Sequence, residues 1–427
     1  MPLVAITVGA TLAAQGALKP PKPQQVDSWV TEFLSSGSRA MGQARASQLE
    51  WATYLEATPD LSAREEKKWR KNLLKGWSKL GPLPFDKGDG FYWEADKRGR
   101  YIVGGKTKKP KGLLIAMHGG GEGSADASGA ASMYASAAAE NDWVMLAPQA
   151  LEATARGWTD SGTEEWVWDL VEQARRTWDI DADHVILAGH SMGGYGTWTL
   201  GAHHADRVAA LYAAAGAPTP IMDRETQAVI DIDWGVVPNL RNVPMVVYQS
   251  TDDPRVPPES NQMASRRIEE ARQRWGGFEH YDYWQVDGRG HAAPPGGPSA
   301  QFARLPDPVR QAVQDVVVWQ PVLDWKRQFY WLFWEHPSLD ATVEARLDRD
   351  ANKISVTIEY RAGTQDKGSG LAVLLDDRLV DMQKEVVVEF QGSEVFRGLP
   401  KRRLEVLVET STSGDPGRQY VAKIPLQ

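Results

Sequence analysis

The chain has 427 residues, a formal net charge of −8 and 42% hydrophobic residues, an ordinary composition for a globular protein. Its length exceeds what one hydrophobic core usually fills, so we expect two domains, or one large domain with an appendage. The negative charge and the lack of a concentrated basic stripe argue against a nucleic-acid partner. Because the chain has no cysteine, disulfides, thiol catalysis and cysteine-ligated metal sites are excluded.

The N-terminus is apolar and rich in small residues as far as Ala17, and prolines follow at positions 20, 21 and 23. It resembles the later part of a secretory signal without the basic start. We therefore interpret residues 1–25 as a signal remnant and linker, which favours an exported protein over a cytoplasmic one with an N-terminal tail. No other stretch is long and apolar enough to predict a membrane span.

Residues 26–85 have the pattern of a helical segment. Ser62 and Glu65 have the spacing of a capping box, and Trp69, Leu73 and Trp77 then recur four residues apart on one helical face. We expect this segment to brace the main domain without taking part in chemistry.

Residues 86–335 alternate strand and helix patterns, which predicts an α/β domain with a mostly parallel central sheet and helices on both faces. Helices are predicted over Ala130–Glu140 and Glu164–Trp178, and a last helical stretch runs to about Trp334. The predicted strands are Leu113–Met117, Trp143–Leu146, Val185–Ala188, Val208–Ala213, Met245–Tyr248 and Tyr281–Val286.

Several tryptophans need a structural interpretation. The last helical stretch carries Trp319, Trp325, Trp331 and Trp334, whose spacing favours an interface between domains over a polymer-binding strip. Trp166 shares the packing face of its helix and is predicted to be core.

Residues 339–427 have a different sequence pattern, in which short runs that alternate with a period of two residues recur at intervals of about ten residues. This pattern predicts an antiparallel β-sandwich-like domain. Its predicted strands are Lys353–Tyr360, Leu371–Leu375, Val386–Phe390 and Leu404–Val408.

The segment Gly189-His190-Ser191-Met192-Gly193 carries the strongest chemical signal. It follows a β-branched apolar run and leads directly into a helix, which is the arrangement of a nucleophile elbow. Glycines remove the Cβ atoms that would clash in so sharp a turn, and the serine hydroxyl is left exposed above the sheet. Ser191 is the predicted nucleophile.

A serine hydroxyl needs a base that takes its proton and an acid that orients the base. In this arrangement both follow the serine in the order acid, then histidine. Every other histidine precedes the serine, lies within the elbow, follows the elbow helix, begins a strand, or lies beyond the last helical stretch. Only His291 follows the last strand of the sheet in a flexible loop, so His291 is the predicted base.

Two adjacent aspartates, Asp252 and Asp253, follow the strand Met245–Tyr248. Hydrolases with this loop usually place the acid three residues before a buried valine, and Val256 selects Asp253 on that spacing. Asp252 has the alternative role of capping the turn. Asp282 and Asp287 are weaker candidates because they lie close to His291 in sequence.

A developing oxyanion needs hydrogen-bond donors. The backbone N–H of Met192, directly after the nucleophile, is one predicted donor. The glycine loop after Leu113–Met117 supplies the other from Gly120 or Gly121. A phosphate cradle is the competing interpretation, but the loop lacks the lysine and the Ser/Thr of a P-loop.

These motifs together resemble the α/β-hydrolase superfamily, and within it bacterial esterases related to dienelactone hydrolases and prolyl-oligopeptidase catalytic domains. The resemblance covers about residues 90–335. It rests on residues 118–121, residues 189–198, Asp253 with Val256, and His291. One departure is Gln249-Ser250, where relatives often have His-Gly before the acid.

The resemblance implies hydrolysis through an acyl-enzyme, without a metal or an organic cofactor. We expect a carboxylic ester as substrate, either a small molecule or linked to a polymer. A serine peptidase is the first alternative, although nothing in the chain could build the propeller of prolyl oligopeptidases. A non-catalytic binding protein on a hydrolase scaffold is the second. Trp158 either lines the substrate pocket or is a buried residue that closes the domain.

Overall fold

The structure is a computed structural model that describes residues 23–35, 41–81, 84–361 and 368–427. The predicted signal remnant therefore lies almost entirely outside the described residues. Within those residues, every helix is too short or too polar to cross a bilayer.

An eight-stranded sheet forms the centre of residues 86–335. Its strands are β1 Gly88–Trp93, β2 Arg98–Gly105, β3 Gly112–Met117, β4 Trp143–Pro148, β5 Val185–His190, β6 Ala210–Ala214, β7 Met245–Ser250 and β8 Tyr281–Val286. In spatial order they are β1-β2-β4-β3-β5-β6-β7-β8. The pairs β1/β2 and β2/β4 are antiparallel, and all later neighbours are parallel.

Strands β3 and β4 are apolar throughout, because both faces of the sheet are covered there. Every residue of β3 and β4 is buried. Successive side chains of β3 alternate between two separate cores: Leu114 packs with Tyr134 of one helix, whereas Ile115 packs with residues of the helices on the other face. With the serine turn directly after β5, this is the α/β-hydrolase fold, and the predicted fold class is confirmed.

The helices follow the predicted pattern in the first two thirds of the chain. Ser62 and Glu65 form the predicted capping box at the start of the third helix. Trp166 is buried in the core, as predicted. The helices are α1 Pro23–Ser35, α2 Gly42–Glu56, α3 Ala63–Trp77, α4 Ala127–Glu140, α5 Thr163–Trp178, α6 Met192–His203, α7 Glu259–Trp275, α8 Gly297–Phe302 and α9 Leu404–Glu409.

Two further sheets occupy the C-terminal region. One contains Val316–Trp319, Ala341–Asp348, Lys353–Tyr360, Val386–Phe390 and Ser393–Gly398. The other contains Gln328–Phe329, Leu332–Trp334, Leu371–Leu375 and Ala422–Pro425. Trp319 of the first sheet stacks on Phe329 of the second, so side chains of the two sheets pack against each other as in a sandwich.

Three details of the C-terminal prediction are wrong. The sheets are not purely antiparallel, because Lys353–Tyr360 and Val386–Phe390 pair in parallel. The predicted strand Leu404–Val408 is helix α9, in which four of the first five side chains are buried. The predicted helical stretch to Trp334 consists only of the short helix α8, followed by loops and short strands.

The tryptophans near position 325 are therefore not spaced along a helix. Trp319, Trp331 and Trp334 are buried within the two C-terminal sheets, and Trp325 packs beside His204 at the end of α6. Burial agrees with a packing role and leaves no exposed aromatic strip here. The domain boundary predicted between residues 335 and 339 stays a prediction. The strands Val316–Trp319 and Leu332–Trp334 precede this boundary, and both pair with strands that follow it.

Candidate active site

Ser191 occupies a strained turn between β5 and α6. Its φ of 61° and ψ of −124° lie outside the regions that a serine normally adopts. Two glycines make this turn possible. A Cβ on Gly189 would lie 2.2 Å from the carbonyl oxygen of Gly193, and one on Gly193 would lie 2.0 Å from that of Met117. Close backbone contacts therefore require glycine at both of these positions of the elbow.

The predicted nucleophile, base and acid lie in one hydrogen-bonded chain. His291 Nε2 is 2.8 Å from Ser191 Oγ, and His291 Nδ1 is 2.8 Å from Asp253 Oδ2. An ionised carboxylate only accepts, so the imidazole donates from Nδ1 and accepts the serine hydroxyl at Nε2. Asp253 has a fully buried side chain, whereas that of His291 is 11% exposed.

The loop after β7 holds Asp253 in place. The second carboxylate oxygen of Asp253, Oδ1, accepts hydrogen bonds from the backbone N–H groups of Arg255 at 2.9 Å and Val256 at 3.0 Å. The spacing from the aspartate to the valine thus has a physical basis, because it closes a turn around the carboxylate.

Asp252 contacts the backbone of the loop that carries His291. Its Oδ1 accepts from the N–H groups of Arg289 and Gly290, at 3.1 Å and 2.9 Å, and from the Ser250 hydroxyl at 2.5 Å. The hydrogen bond from Ser250, followed by that from Gly290, lowers the pKa of the Asp252 carboxyl. Asp252 therefore braces the loop that carries His291 and does not contact the imidazole.

Gln249 is a positioning residue that sequence reasoning missed. Its amide nitrogen donates to the carbonyls of Ser250 and Val256, which spans the acid loop from end to end. Its oxygen accepts from Asn261, which also donates to the Gly216 carbonyl beside Ser191. The pair Gln249-Ser250, in place of His-Gly, was the signal available in the sequence. The role of Gln249 could not be predicted from it, because that role depends on a contact with Asn261, twelve residues away.

The predicted oxyanion donors border the serine. Met192 is the first residue of α6, so its N–H has no partner within the helix. Gly120 and Gly121 line the same cavity as Ser191 and Met192. A Cβ on Gly120 would lie 2.2 Å from the Ser124 carbonyl oxygen, whereas one on Gly121 would meet no atom within 4 Å.

Buried His118 fixes the start of the glycine loop. Its Nε2 accepts from the Ala150 N–H at 3.0 Å, so its Nδ1 carries the proton and donates to the Gly119 carbonyl at 2.7 Å. Burial lowers the pKa of His118, which favours the neutral imidazole that these two hydrogen bonds require. His190 packs on His291 with ring centroids 5.0 Å apart, and burial, followed by the charge of His291, lowers its pKa.

Trp158 does not line the cavity beside Ser191. It has no exposed surface, and its indole N–H donates to the His118 carbonyl at 3.2 Å. A Cβ on Gly196 of α6 would lie 2.7 Å from its ring. Trp158 thus fills the space between the glycine loop and the elbow helix, so the buried alternative is correct and the substrate-binding prediction is wrong.

A cavity of about 690 Å³ opens beside Ser191. Residues 216–220 form part of its wall, and the charged side chains of Glu122, Arg156 and Arg255 come from other loops. Among the described residues, no three His, Asp or Glu side chains cluster as a metal site would need. The arrangement suits acyl transfer to a serine, since Ser191 and the predicted oxyanion donors line one cavity, and the serine is hydrogen-bonded to the predicted base and through it to the predicted acid.

No protein-family model matches the chain, and no curated protein matches it in sequence. Solved structures that resemble it include esterases and related hydrolases. A thermostable esterase is 21% identical over 44% of this chain, with a TM-score of 0.33, and the chain spans about half of that protein, 51%.

An acetyl xylan esterase from Aspergillus awamori is 14% identical over 48% of this chain and 93% of its own, with a TM-score of 0.37. A poly(3-hydroxybutyrate) depolymerase from Bordetella parapertussis is 18% identical over 48% of this chain and 85% of its own, with a TM-score of 0.35. Likeness at this level does not specify an activity, which depends on the residues of the site.

Proposed function

We propose that the protein is a serine hydrolase that cleaves carboxylic esters through an acyl-enzyme, with Ser191 as nucleophile, His291 as base and Asp253 as orienting acid. The observation that carries the proposal is the pair of 2.8 Å contacts that join the serine hydroxyl, the imidazole and the buried carboxylate. A substrate that is a small ester or an ester linked to a polymer fits the open cavity beside the serine.

In the first half-reaction, Ser191 Oγ attacks the ester carbonyl carbon while His291 Nε2 takes the hydroxyl proton. The carbonyl π electrons move to oxygen, and the N–H groups of Met192 and of Gly120 or Gly121 stabilise that oxyanion. His291 then protonates the leaving alkoxide as the carbon–oxygen bond breaks. Asp253 remains ionised and stabilises the imidazolium.

In the second half-reaction a water molecule replaces the alcohol. His291 takes a proton from this water as its oxygen attacks the acyl carbon, and returns a proton to Ser191 Oγ when the acyl–serine bond breaks. The products are a carboxylic acid and an alcohol, and each chemical step uses only groups that line the site.

The decisive variant is Ser191→Ala, with Ser260→Ala as the matched control because Ser260 also lines the cavity. On p-nitrophenyl acetate we expect kcat to fall by about 10⁴-fold or more for Ser191→Ala and to stay near wild type for the control. Both variants should keep the wild-type circular dichroism spectrum. Undiminished turnover by Ser191→Ala would refute the assignment.

Two comparisons separate the alternatives. A fluorophosphonate probe should label the wild type and Ser260→Ala but not Ser191→Ala, and a folded wild type that resists labelling would favour a non-catalytic binding protein. An acyl p-nitroanilide should be cleaved with a lower kcat/KM than the matching p-nitrophenyl ester. The reverse order would favour a peptidase.

A further inference from the structure

A two-stranded hairpin borders the mouth of the catalytic cavity. It lies between β6 and β7 in the chain and consists of Pro220–Met222 and Val229–Ile232 with the turn that joins them. We call it the rim hairpin. Pro220 lines the cavity beside Ser191, and its partner across the hairpin, Ile232, is buried against the body of the domain.

The rim hairpin exposes three large apolar side chains. Ile221 is 44% exposed, Met222 40% and Ile230 50%. The pairing register shifts at Ile230, between the pairs Val229–Met222 and Asp231–Ile221, so Ile230 lies beside Ile221. Because successive strand residues point to opposite faces, Met222 shares the face of Pro220, which lines the cavity, and Ile221 lies on the opposite face. Single exposed apolar residues are ordinary, but Met222 continues the face of a cavity-lining residue and so extends the cavity wall.

The backbone of the hairpin is held in place without these three side chains. Asp223 Oδ1 accepts from the N–H groups of Glu225 and Thr226 and so closes the turn. Asp231 pairs with Arg267 of α7 at 2.8 Å, and the Asp233 N–H donates to the Thr219 carbonyl at 2.9 Å. Because the hairpin backbone is already fixed, little binding free energy is lost to ordering this segment when a ligand contacts its apolar side chains.

The cavity wall leads directly to this surface. Residues 216–222 read Gly-Ala-Pro-Thr-Pro-Ile-Met and carry no charge. The first five of these residues line the cavity, starting beside the Ser191 backbone at Gly216, and Ile221 and Met222 continue the segment outside it. The charged side chains at the cavity come from other segments, so residues 216–222 offer an apolar chain an uncharged path out of the cavity.

We propose that the rim hairpin binds the apolar acyl chain of the ester substrate where that chain extends beyond the cavity. The substrates are then esters of medium and long aliphatic acids. The inference rests on the proposed function of Ser191 and adds the class of acid that the site prefers.

The test is a series of p-nitrophenyl esters from acetate through butyrate and octanoate to decanoate. The variants are Ile221→Ser and Met222→Ser, and the matched control is Leu339→Ser, whose leucine is 42% exposed outside the cavity wall and the rim hairpin. We expect Met222→Ser to lower kcat/KM on decanoate by about tenfold, from the loss of apolar contact, and Ile221→Ser, on the opposite face of the hairpin, to lower it less. On acetate, both variants and the control should stay within about twofold of wild type.

Equal losses on acetate and decanoate, or an unchanged decanoate rate, would overturn the inference while leaving the ester hydrolase intact. So would a wild type that prefers acetate to decanoate. If the hairpin variants convert a dimer to a monomer in sedimentation without changing the chain-length profile, the surface binds a second copy instead. A wild type inactive on every ester contradicts the proposed function itself.

Discussion

At the scale of single residues, two adjacent carboxylates have different partners. Asp253 is buried and bonded to the imidazole, whereas Asp252 bonds to backbone N–H groups of the histidine loop. The two carboxylates contact different parts of the loop that carries His291, and only Asp253 is bonded to the imidazole. The valine spacing identified Asp253 from sequence, but the bracing contacts of Asp252 join residues 37 and 38 positions apart and leave no local pattern.

We predict that Asp253→Asn and Asp252→Asn differ sharply in kcat on p-nitrophenyl acetate. Asp253→Asn removes the acceptor that orients the imidazole, and kcat should fall by about 10³ to 10⁴. Asp252→Asn keeps that acceptor and weakens only the bracing of the loop, so its loss should be about tenfold or less. Comparable losses in two folded variants would contradict the assignment of Asp253 as the acid.

At the scale of elements, the elbow depends on backbone contacts that tolerate no side chain. A Cβ on Gly193 would penetrate the Met117 carbonyl, at 2.0 Å, and this contact joins α6 to the end of β3. We predict that Gly193→Ala loses most of its activity and is less stable, because the helix must shift away from the strand. Thermal unfolding and kcat on p-nitrophenyl acetate measure the two effects.

The glycine loop provides the matched control for this prediction. A Cβ on Gly121 would meet no atom within 4 Å, and Gly121 has no positive φ. Gly121→Ala should therefore keep its wild-type melting temperature and a near-wild-type kcat. If the two alanine variants behave alike, close packing is not the reason for glycine in the elbow.

Among the elements of this fold, some are predictable from the sequence pattern and others are not. Buried parallel strands such as β3 and β4 read as continuous apolar runs between loops, so the six parallel strands β3 to β8 were predictable. The antiparallel strands β1 and β2 at one edge of the sheet were not among the predicted strands, and these two strands are only partly buried. The run at Leu404–Val408 was ambiguous, because five apolar-rich residues fit a buried strand or a helix buried nearly all round. The strands near Trp331 have two to four residues, too few to establish a period of two.

At the scale of the whole molecule, the N-terminal helices and the C-terminal sheets share one hydrophobic cluster with the eight-stranded sheet. Leu73 of α3, Ile115 of β3 and Val343 of the C-terminal region all belong to it. The indole of Trp77 fills the space beside Gly414, where a Cβ would lie 1.9 Å from the ring. We therefore expect the described regions to unfold together, as parts of a single cooperative unit.

A buried ion pair tests this coupling. Arg310 donates to Asp415 of the C-terminal region through two hydrogen bonds of 2.7 Å and 2.8 Å, and it also pairs with Asp183 just before β5. Burial alone would raise the pKa of the Asp415 carboxyl, but the charge and hydrogen bonds of Arg310, together with the charge of Arg175 and the N–H of Gly417, lower the net pKa. Loss of Arg310 therefore leaves a buried carboxylate without its main partner.

We predict that Arg310→Met lowers the free energy of unfolding by about 3 to 5 kcal/mol, because an uncompensated charge remains in the interior. The double variant Arg310→Met/Asp415→Leu should recover part of this loss, since an apolar pair replaces the ionic one. Arg349→Met, which breaks an exposed pair with Asp315, is the control and should cost far less. The measurement is urea unfolding followed by tryptophan fluorescence and by residual esterase activity. Coincident transitions would show that the C-terminal region stabilises the catalytic sheet, whereas activity that persists after the fluorescence change would show that the two regions unfold independently.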